Sequence, residues 1–175
     1  VLFISDTSIN SVNSADSLVD ITRLTHEAVC RFSHDPVIAM LSYSNFGSRK
    51  EDVAVRTASA IKELHERYPG ICVDGEMQVT YALNRELRDE VYPFTKLKGR
   101  DVNTLIFPNL SSANTAYKLM LEMGLTDAIG PIQIGLNKPI QFISVNSPVR
   151  DIMNLATVAA LDAILLSKEE CKVSC

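Results

Sequence analysis

The chain has 175 residues, of which 46% are hydrophobic and 22% are charged, and its formal net charge is -4. This length allows one sizeable hydrophobic core, and the composition is that of a globular protein rather than a disordered segment. The negative net charge argues against a general nucleic-acid-binding protein, because neutralising phosphates requires a basic face.

The cysteines and histidines show neither CxxC pairs nor metal-ligand spacing. We interpret the cysteines as free thiols in a reducing compartment and the histidines as structural or solvated residues. These residues are Cys30, Cys72, Cys171 and Cys175, and His26, His34 and His65. Because no apolar run is long enough to cross a bilayer and the amino end lacks a basic n-region, we expect a cytoplasmic protein without a membrane partner.

Strand-like and helix-like runs alternate along the chain. Strands are predicted over 1–4, 37–41, 71–73, 104–107 and 139–143, and helices over 18–32, 51–68, 81–91, 115–123 and 149–166. Ser14 or Asp16 can cap the first helix. The alternation predicts an α/β fold with a mostly parallel, doubly wound sheet between two layers of helices. We expect one domain over 1–167 and a polar tail over 168–175, and we expect this chain to be part of a longer protein because it starts inside a strand without Met.

The segment from Val37 to Lys50 is the most informative part of the sequence. Five apolar residues, Val37 to Leu41, predict a strand buried on both faces, and a loop rich in Ser, Asn and Gly then leads into the second helix. Hydroxyls, backbone N–H groups and a helix amino end gathered in one loop favour an anion site. The alternative is that these residues only serve the turn and the helix cap.

Polar loops follow all five predicted strands, over 5–10, 42–48, 74–78, 109–114 and 144–146. The carboxyl ends of parallel strands share one edge of a sheet, where ligands bind in such folds. Hydroxyls, amides, a few carboxylates and a few cations suit a polar small molecule that carries a phosphoryl or acyl group. They do not suit a metal ion.

Two pairs of residues are candidates for acid/base work. Asp74 and Glu76 lie two apart on an extended segment and could act as an acid/base pair, but we favour a capping role for them at the next helix. Asp151 could act as the base for a thiol or hydroxyl held near Ser144. The alternative for Asp151 is that it complements the dipole of the last helix.

Seven short motifs, in order along nearly the whole chain, resemble the carboxyl-terminal half of the phosphate acetyltransferase (phosphotransacetylase) family. They are Leu-Ser-Tyr-Ser-x-x-Gly-Ser at 41–48, Asp-Gly-Glu-x-Gln at 74–78, Asn-x-x-Ile-Phe-Pro-x-Leu at 103–110, Asn-x-x-Tyr-Lys at 114–118, Gly-Pro-Ile at 130–132, Gly-Leu-x-Lys-Pro at 135–139, and Ser144 with Asp151. The resemblance implies a fragment of a two-domain fold.

Active members of this family move an acetyl group between coenzyme A and inorganic phosphate. The resemblance implies that Asp151 deprotonates the thiol of coenzyme A, that Ser144 positions the substrates, and that no metal takes part. Substrate-binding roles are implied for Ser42, Ser44, Asn45, Gly47, Ser48, Glu76, Asn109, Asn114, Lys118, Gly130 and Pro131. The expected ligands are coenzyme A, acetyl-coenzyme A or another acyl-coenzyme A, and acetyl phosphate, and the expected assembly is a homodimer or a higher oligomer.

The chain departs from the family pattern at two positions. The family's Ser-Arg-Gly is Ser144-Val-Asn146 here, so Val145 replaces an Arg that neutralises substrate charge, and Phe46 replaces the usual Lys before Gly-Ser. Replacing Arg by an apolar residue removes a charged bidentate donor. Arg49 and Arg150 are close in sequence and could partly compensate.

With these two departures, the chain is more similar to the phosphotransacetylase-like domain at the carboxyl end of large NADP-dependent malic enzymes. We therefore expect a domain that binds acetyl-coenzyme A for regulation and oligomerisation, with weak or no acetyl transfer. NADP and a divalent metal would belong only to the parent malic enzyme domain. The alternatives are a fragment of an active phosphate acetyltransferase and a non-catalytic interaction module.

Overall fold

The computed structural model describes residues 1–11 and 14–173 of the chain. Residues group into two compact units, Val1–Leu119 and Met120–Cys175. The prediction of one domain over 1–167 with a separate tail stays a prediction.

The first unit contains a parallel sheet of four strands in the order β1-β4-β2-β3. Because all four strands run in the same direction, their carboxyl ends lie at one edge of the sheet. The strands are β1 (Phe3–Ser5), β2 (Ile38–Leu41), β3 (Val73–Met77) and β4 (Thr104–Ile106), and the helices are α1 (Ala15–Arg31), α2 (Asp52–Arg67), α3 (Val79–Leu83), α4 (Arg85–Val91), α5 (Leu110–Glu122) and α6 (Val149–Val173). The predicted α/β class is confirmed.

Strand β2 lies in the middle of two hydrophobic clusters. Ile38 and Met40 pack with Leu18 of α1 and Leu64 of α2, whereas the alternate residues of β2 pack with Leu97 and its neighbours in the second cluster. All four residues of β2 are buried, as a strand covered on both faces requires. The unbroken apolar run in the sequence predicted this correctly.

Helix α1 begins as predicted at a capping serine. The Ser14 hydroxyl oxygen accepts a hydrogen bond from Ser17 N, and Asp16 lies in the first turn. Buried residues on one face of the helix, such as Leu18 and Val19, follow the predicted apolar spacing. The Ser14 cap fixes where α1 begins, and the buried apolar face packs α1 against the sheet.

The prediction of a polar loop over 74–78 is wrong, because Asp74 and Glu76 lie inside strand β3. The strand tolerates them because each buried carboxylate has hydrogen-bond donors. Asp74 Oδ2 accepts from Thr95 Oγ1 at 2.7 Å and from Lys96 N at 2.7 Å, and Glu76 Oε1 has two donors of its own. These partners are distant in sequence, so the apolar pattern that ends at Val73 could not reveal the longer strand.

Three helix boundaries also differ from the prediction. The single helix expected over 81–91 is two helices, because Asn84 caps α4 by accepting from Leu87 N at 3.0 Å. Helix α5 begins at Leu110 rather than at 115, since Asn109 Oδ1 accepts from Ser112 N at 3.0 Å and caps it. Helix α6 continues to Val173 rather than ending at 166. The residues after Ser167 include good helix formers, and no Gly or Pro stops the helix there.

The strand predicted over 139–143 is wrong, because this segment is not part of a sheet. The Gln141 side chain bonds both backbone groups of Gln133, accepting from its N–H at 2.8 Å and donating to its carbonyl at 3.1 Å. The apolar residues of this segment predicted an extended strand. A strand also needs backbone hydrogen bonds to a neighbouring strand, and here the backbone of Gln133 instead bonds the side-chain amide of Gln141.

Gly75 allows β3 to lie against β2. Its φ is +143°, and a Cβ built on it would lie 2.6 Å from the carbonyl oxygen of Met40. We expect Gly75→Ala to lower the free energy of unfolding by about 2 kcal/mol or more, because it combines a disfavoured φ with a backbone clash. Urea denaturation followed by circular dichroism measures this change.

The matched control is Gly70→Ala. A Cβ at Gly70 would meet no atom within 4 Å. Equal unfolding midpoints for the two variants would contradict the requirement for glycine at position 75.

The loop after β1 is organised around the Asp6 carboxylate. Asp6 accepts hydrogen bonds from the backbone N–H groups of Ser8, Ile9 and Asn10 and from the Asn10 side chain, at 2.6 to 3.1 Å. Burial by itself raises the pKa of Asp6, but these hydrogen bonds together outweigh it and leave the pKa lowered.

We expect Asp6→Asn to reduce stability by roughly 1–2 kcal/mol at pH 7, since the amide loses part of this acceptor set. A lowered folded pKa contributes stability that is present above the unfolded pKa and is lost as the pH falls through the folded pKa. The difference between wild type and Asp6→Asn should therefore shrink between about pH 5 and pH 3, measured by urea denaturation. Asp35→Asn, at an exposed aspartate, serves as the control. If the difference in unfolding free energy between wild type and Asp6→Asn did not change with pH, this role of Asp6 would be wrong.

Candidate functional site

The loops at the carboxyl edge of the sheet are connected to one another by hydrogen bonds. The loop after β1 contacts α5, because Asn114 Nδ2 donates to the carbonyl of Thr7 at 3.0 Å. The loop after β2 contacts the end of β3, because Gln78 N donates to Asn45 Oδ1 at 2.8 Å. Polar residues from distant parts of the sequence thus lie at one edge within the first unit.

Glu76 organises the loop between β2 and α2. Its Oε1 accepts hydrogen bonds from Ser44 Oγ and from Gly47 N, both at 2.7 Å, and the Glu76 residue is only 1% exposed. Its backbone carbonyl also accepts from Phe46 N at 2.8 Å. Glu76 therefore already accepts hydrogen bonds from two of the donors that the sequence suggested for a bound anion.

The other predicted residues of this loop also hold it in shape. Ser42 Oγ accepts from Ser44 N at 3.2 Å, Ser48 Oγ accepts from Asn45 N at 2.9 Å, and the hydroxyls of Ser44 and Ser48 lie 3.2 Å apart. Gly47 has φ +84°, a conformation that glycine adopts without strain. Hydrogen bonds within the loop therefore define its conformation, and the binding roles of these residues stay predictions.

The two carboxylates on β3 do not share a partner. Asp74 bonds Thr95 and Lys96, whereas Glu76 bonds Ser44 and Gly47. Neither caps the next helix, since α3 begins after Gln78 without a side-chain cap. The capping interpretation is therefore wrong, and each carboxylate instead fixes a different loop.

A pocket rich in hydroxyls lies between the β1 loop and the start of α5. It has a volume of about 440 Å³ and is lined by Ser8, Ser11, Leu110, Ser111, Asn114 and Thr115. Of the predicted binding residues, Asn114 lines this pocket, whereas Asn109 caps α5 and Lys118 is an exposed residue further along the same helix. The pocket offers hydrogen bonds but no cation from its lining.

Ser144 and Asp151 belong to the second unit. Ser144 lies in an exposed turn, where its carbonyl accepts from Ser147 N at 3.0 Å, and Asp151 is in the first turn of α6. Between them in sequence, Val145 is fully exposed. Gly130 and Pro131 are also in this unit and are joined by a cis peptide bond.

Arg150 is paired with a carboxylate. Its guanidinium nitrogens lie 3.3 Å from Asp127 Oδ1. Both side chains are exposed, so the pairing itself is worth little.

Sequence analysis missed Arg88, whose side chain is completely buried. Its guanidinium donates to the backbone carbonyls of Ala82, Leu97 and Arg100 and to the carboxylate of Asp89. It thereby fixes the turn that leads to β4. An arginine on a short helix carries no sequence signal for this role, because its partners are backbone carbonyls of neighbouring turns, 6 to 12 residues away, and any residue type can supply a carbonyl.

Phe46, where the resemblance implies a Lys in the family, is part of an aromatic cluster. Its ring centroid lies 4.9 Å from that of Tyr92 and 5.0 Å from that of Phe94. These rings pack beside the loop that Glu76 holds. Phe46 therefore contributes packing, and not charge, beside this loop.

Among the described side chains, which are those of residues 1–11 and 14–167, no three of His, Cys, Asp or Glu are grouped as a metal site would require. No helix within residues 1–11 and 14–173 is both long and apolar enough to span a bilayer.

The family model for phosphate acetyl/butaryl transferase matches residues 1–160. Curated relatives include NADP-dependent malic enzymes of Haemophilus influenzae, 36% identical over 93% of this chain and 21% of the relative, and of Escherichia coli, 35% identical over 92% and 21%. A phosphate acetyltransferase of Bacillus subtilis is 33% identical over 91% of this chain and 49% of the relative. The chain thus spans about a fifth of these malic enzymes and half of this acetyltransferase.

Solved structures agree with these relatives. A phosphotransacetylase from Streptococcus pyogenes matches with a TM-score of 0.85 and 37% identity, over 92% of this chain and 49% of the other. The EutD phosphotransacetylase from Staphylococcus aureus also matches with a TM-score of 0.85, at 31% identity over 91% and 49%. The parallel sheet, the ordered motifs and the family model together show that the chain belongs to the phosphate acetyl/butaryl transferase family.

Proposed function

We propose that this chain is the phosphotransacetylase-like, carboxyl-terminal domain of an NADP-dependent malic enzyme. In this proposal it binds acetyl-coenzyme A or a related acyl-coenzyme A for regulation and oligomerisation, and it transfers acetyl groups weakly or not at all. The observation that carries the proposal is Val145, a fully exposed apolar side chain between Ser144 and Asn146. The malic enzymes among the relatives support the same assignment.

The charge at position 145 matters because both substrates of an acetyl transfer between coenzyme A and phosphate are anions. A guanidinium stabilises such anions through paired, charge-assisted hydrogen bonds, which an isopropyl group cannot make. Arg150 does not stand at the same place, because it lies five residues further along the chain, in α6, where its guanidinium is 3.3 Å from Asp127 Oδ1.

In any transfer that remains, Asp151 accepts the thiol proton of coenzyme A. The thiolate then attacks the carbonyl carbon of acetyl phosphate, the carbon–oxygen bond to phosphate breaks, and inorganic phosphate leaves. Ser144 positions the reacting groups through its hydroxyl. We propose substrate-binding roles for the other residues predicted from the family motifs, namely Ser42, Ser44, Asn45, Gly47, Ser48, Glu76, Asn109, Asn114, Lys118, Gly130 and Pro131.

The alternative function is that of a working phosphate acetyltransferase. Two observations favour it. Ser144 and Asp151 are both present, and a relative named phosphate acetyltransferase is 33% identical to this chain. In that case Val145 would be a tolerated substitution and turnover would be brisk.

Self-association is part of the proposal. Large apolar side chains in the second unit are exposed, including Phe142 at 63% and Met153 at 65%. Apolar surface of this kind favours association with another protein surface. We further propose a cytoplasmic location, with NADP and a divalent metal bound only by the malic enzyme domain of the parent chain.

Restoring the family Arg tests the role of position 145. We expect Val145→Arg to raise acetyl transfer from acetyl phosphate to coenzyme A by about 10- to 100-fold, because a charge-assisted hydrogen bond contributes ~1.5–3 kcal/mol. The assay follows loss of the free thiol in the full-length protein.

The matched control is Val149→Arg, which adds the same charge at an exposed valine four residues later. An equal rise in both variants, or none in either, would contradict the role of position 145. Brisk transfer by the wild type would instead support the alternative of a working acetyltransferase.

Calorimetric titration tests whether the domain binds its proposed ligand. We expect acetyl-coenzyme A to bind the full-length protein saturably, since the proposal requires binding rather than turnover. Absence of a saturable heat would exclude regulation by this ligand and leave only an interaction role.

A further inference from the structure

A basic turn between α4 and β4 carries a cluster of positive charge in the first unit. The turn covers residues 94–100 and contains Lys96, Lys98 and Arg100, which are all exposed. The chain as a whole has a formal net charge of -4. Three exposed cations thus stand within five residues of a chain that is acidic overall.

These cations are not paired within the chain. Among the side chains that the structure describes, no carboxylate lies within ion-pair distance of any of the three. The guanidinium of Arg100 donates to Cys72 Sγ at 3.3 Å rather than to a carboxylate. Asp101, the next residue, is paired with Arg85 at 3.0 Å. Unpaired charges of one sign on one surface attract a partner of the opposite charge.

Hydrogen bonds from other elements fix the backbone of the basic turn. Each backbone N–H group from 95 to 100 donates a hydrogen bond, at 2.7 to 3.3 Å. Asp74 and Asp89 each accept from one of these N–H groups, and Arg88, which is completely buried, donates to two carbonyls of the same segment. The cations therefore project from a backbone that needs no reordering on binding, which lowers the entropic cost of association.

An exposed aromatic ring lies on the same turn. Phe94 is 68% exposed, and its ring centroid lies 5.0 Å from that of Phe46 and 6.0 Å from that of Tyr92. Thr95 and Leu97 are buried, so the residues between and beside them face outward. Protein interfaces typically combine an aromatic centre with a polar or charged rim, and this turn presents both.

The charge and the exposure of this surface indicate the kind of partner. A small anion on these exposed cations would remain in contact with water, where a charge pair contributes little. A nucleic acid is disfavoured, because the chain as a whole is negatively charged. An acidic protein segment brings several carboxylates at once, and an apolar residue of that segment can cover Phe94 and exclude water.

We propose that the basic turn is a docking surface for an acidic segment of a partner protein. Carboxylates of the partner pair with Lys96, Lys98 and Arg100, and an apolar side chain of the partner packs on Phe94. None of these residues is among those proposed to bind acyl-coenzyme A, so the docking surface does not depend on that function.

Fluorescence anisotropy of labelled peptides with the full-length protein tests this surface. The probe is a short peptide of glutamates around two central phenylalanines, and the control peptide has serine in place of every glutamate. At low ionic strength we expect the glutamate peptide to bind saturably and the serine peptide to bind about tenfold more weakly or less, because the carboxylates supply the attraction.

Paired lysine variants test the position of the surface. Lys96→Gln/Lys98→Gln keeps the backbone bonds of the turn, and we expect it to weaken binding of the glutamate peptide by about tenfold. The matched control Lys50→Gln/Lys62→Gln removes the same charge from two other exposed lysines of the first unit and should change binding by less than about twofold. An unchanged thermal unfolding midpoint in both variants shows that the fold is kept.

A third variant tests the aromatic contact. Phe94→Ala should weaken binding of the phenylalanine-containing peptide by about fivefold, and it should leave a glutamate peptide with alanines at its centre nearly unchanged. A variant that merely disturbed the turn would weaken both peptides equally, which would contradict the contact with Phe94.

Three results would overturn the docking surface: no saturable binding of the glutamate peptide, equal binding of the serine peptide, or equal weakening by the two lysine pairs. Tighter binding of an oligothymidylate of the same charge would identify a nucleic acid as the partner and would also overturn it. If acetyl-coenzyme A fails to bind while the glutamate peptide binds at the basic turn, the proposed function fails and the docking surface stands.

Discussion

The carboxylate of Glu76 is the interaction on which the rest of the site depends. It lies in β3, yet it holds the loop after β2 through the hydroxyl of Ser44 and the N–H of Gly47. A charged group with 1% exposure is stable only when its acceptors are satisfied, and both of these donors come from one loop. The side chain of Glu76 therefore joins β3 to the loop that leads from β2 to the start of α2.

Close contact between β2 and β3 makes this arrangement possible. Gly75 comes so near to Met40 that no side chain fits between them, and the pairing of the two strands shifts just after Met40. Glu76 can then reach the loop after β2. On the other side of the irregularity, Asp74 uses the same device to hold the turn at Thr95, so two acidic residues inside one strand each position a different loop.

A loop held from inside has consequences for ligand chemistry. Two donors that a Ser- and Gly-rich loop would offer to an anion, Ser44 Oγ and Gly47 N, are already used by Glu76. In the second unit, the segment from Ser144 to Asn146 presents a fully exposed apolar side chain at Val145 and no charge at that position.

By itself, the sequence determined the α/β class, the buried central strand, the cap of α1 and the family. These features depend on local periodicity, on capping residues and on short motifs, which are all properties of neighbouring residues. Only the tertiary structure decided that residues 74–77 are strand and 139–143 are not, since a strand exists only where another strand pairs with it. It also decided the partners of Glu76, which lie 29 and 32 residues away, and the carbonyl partners of Arg88, which lie in turns 6 to 12 residues away, because bonds between different elements leave no periodic signal in the sequence.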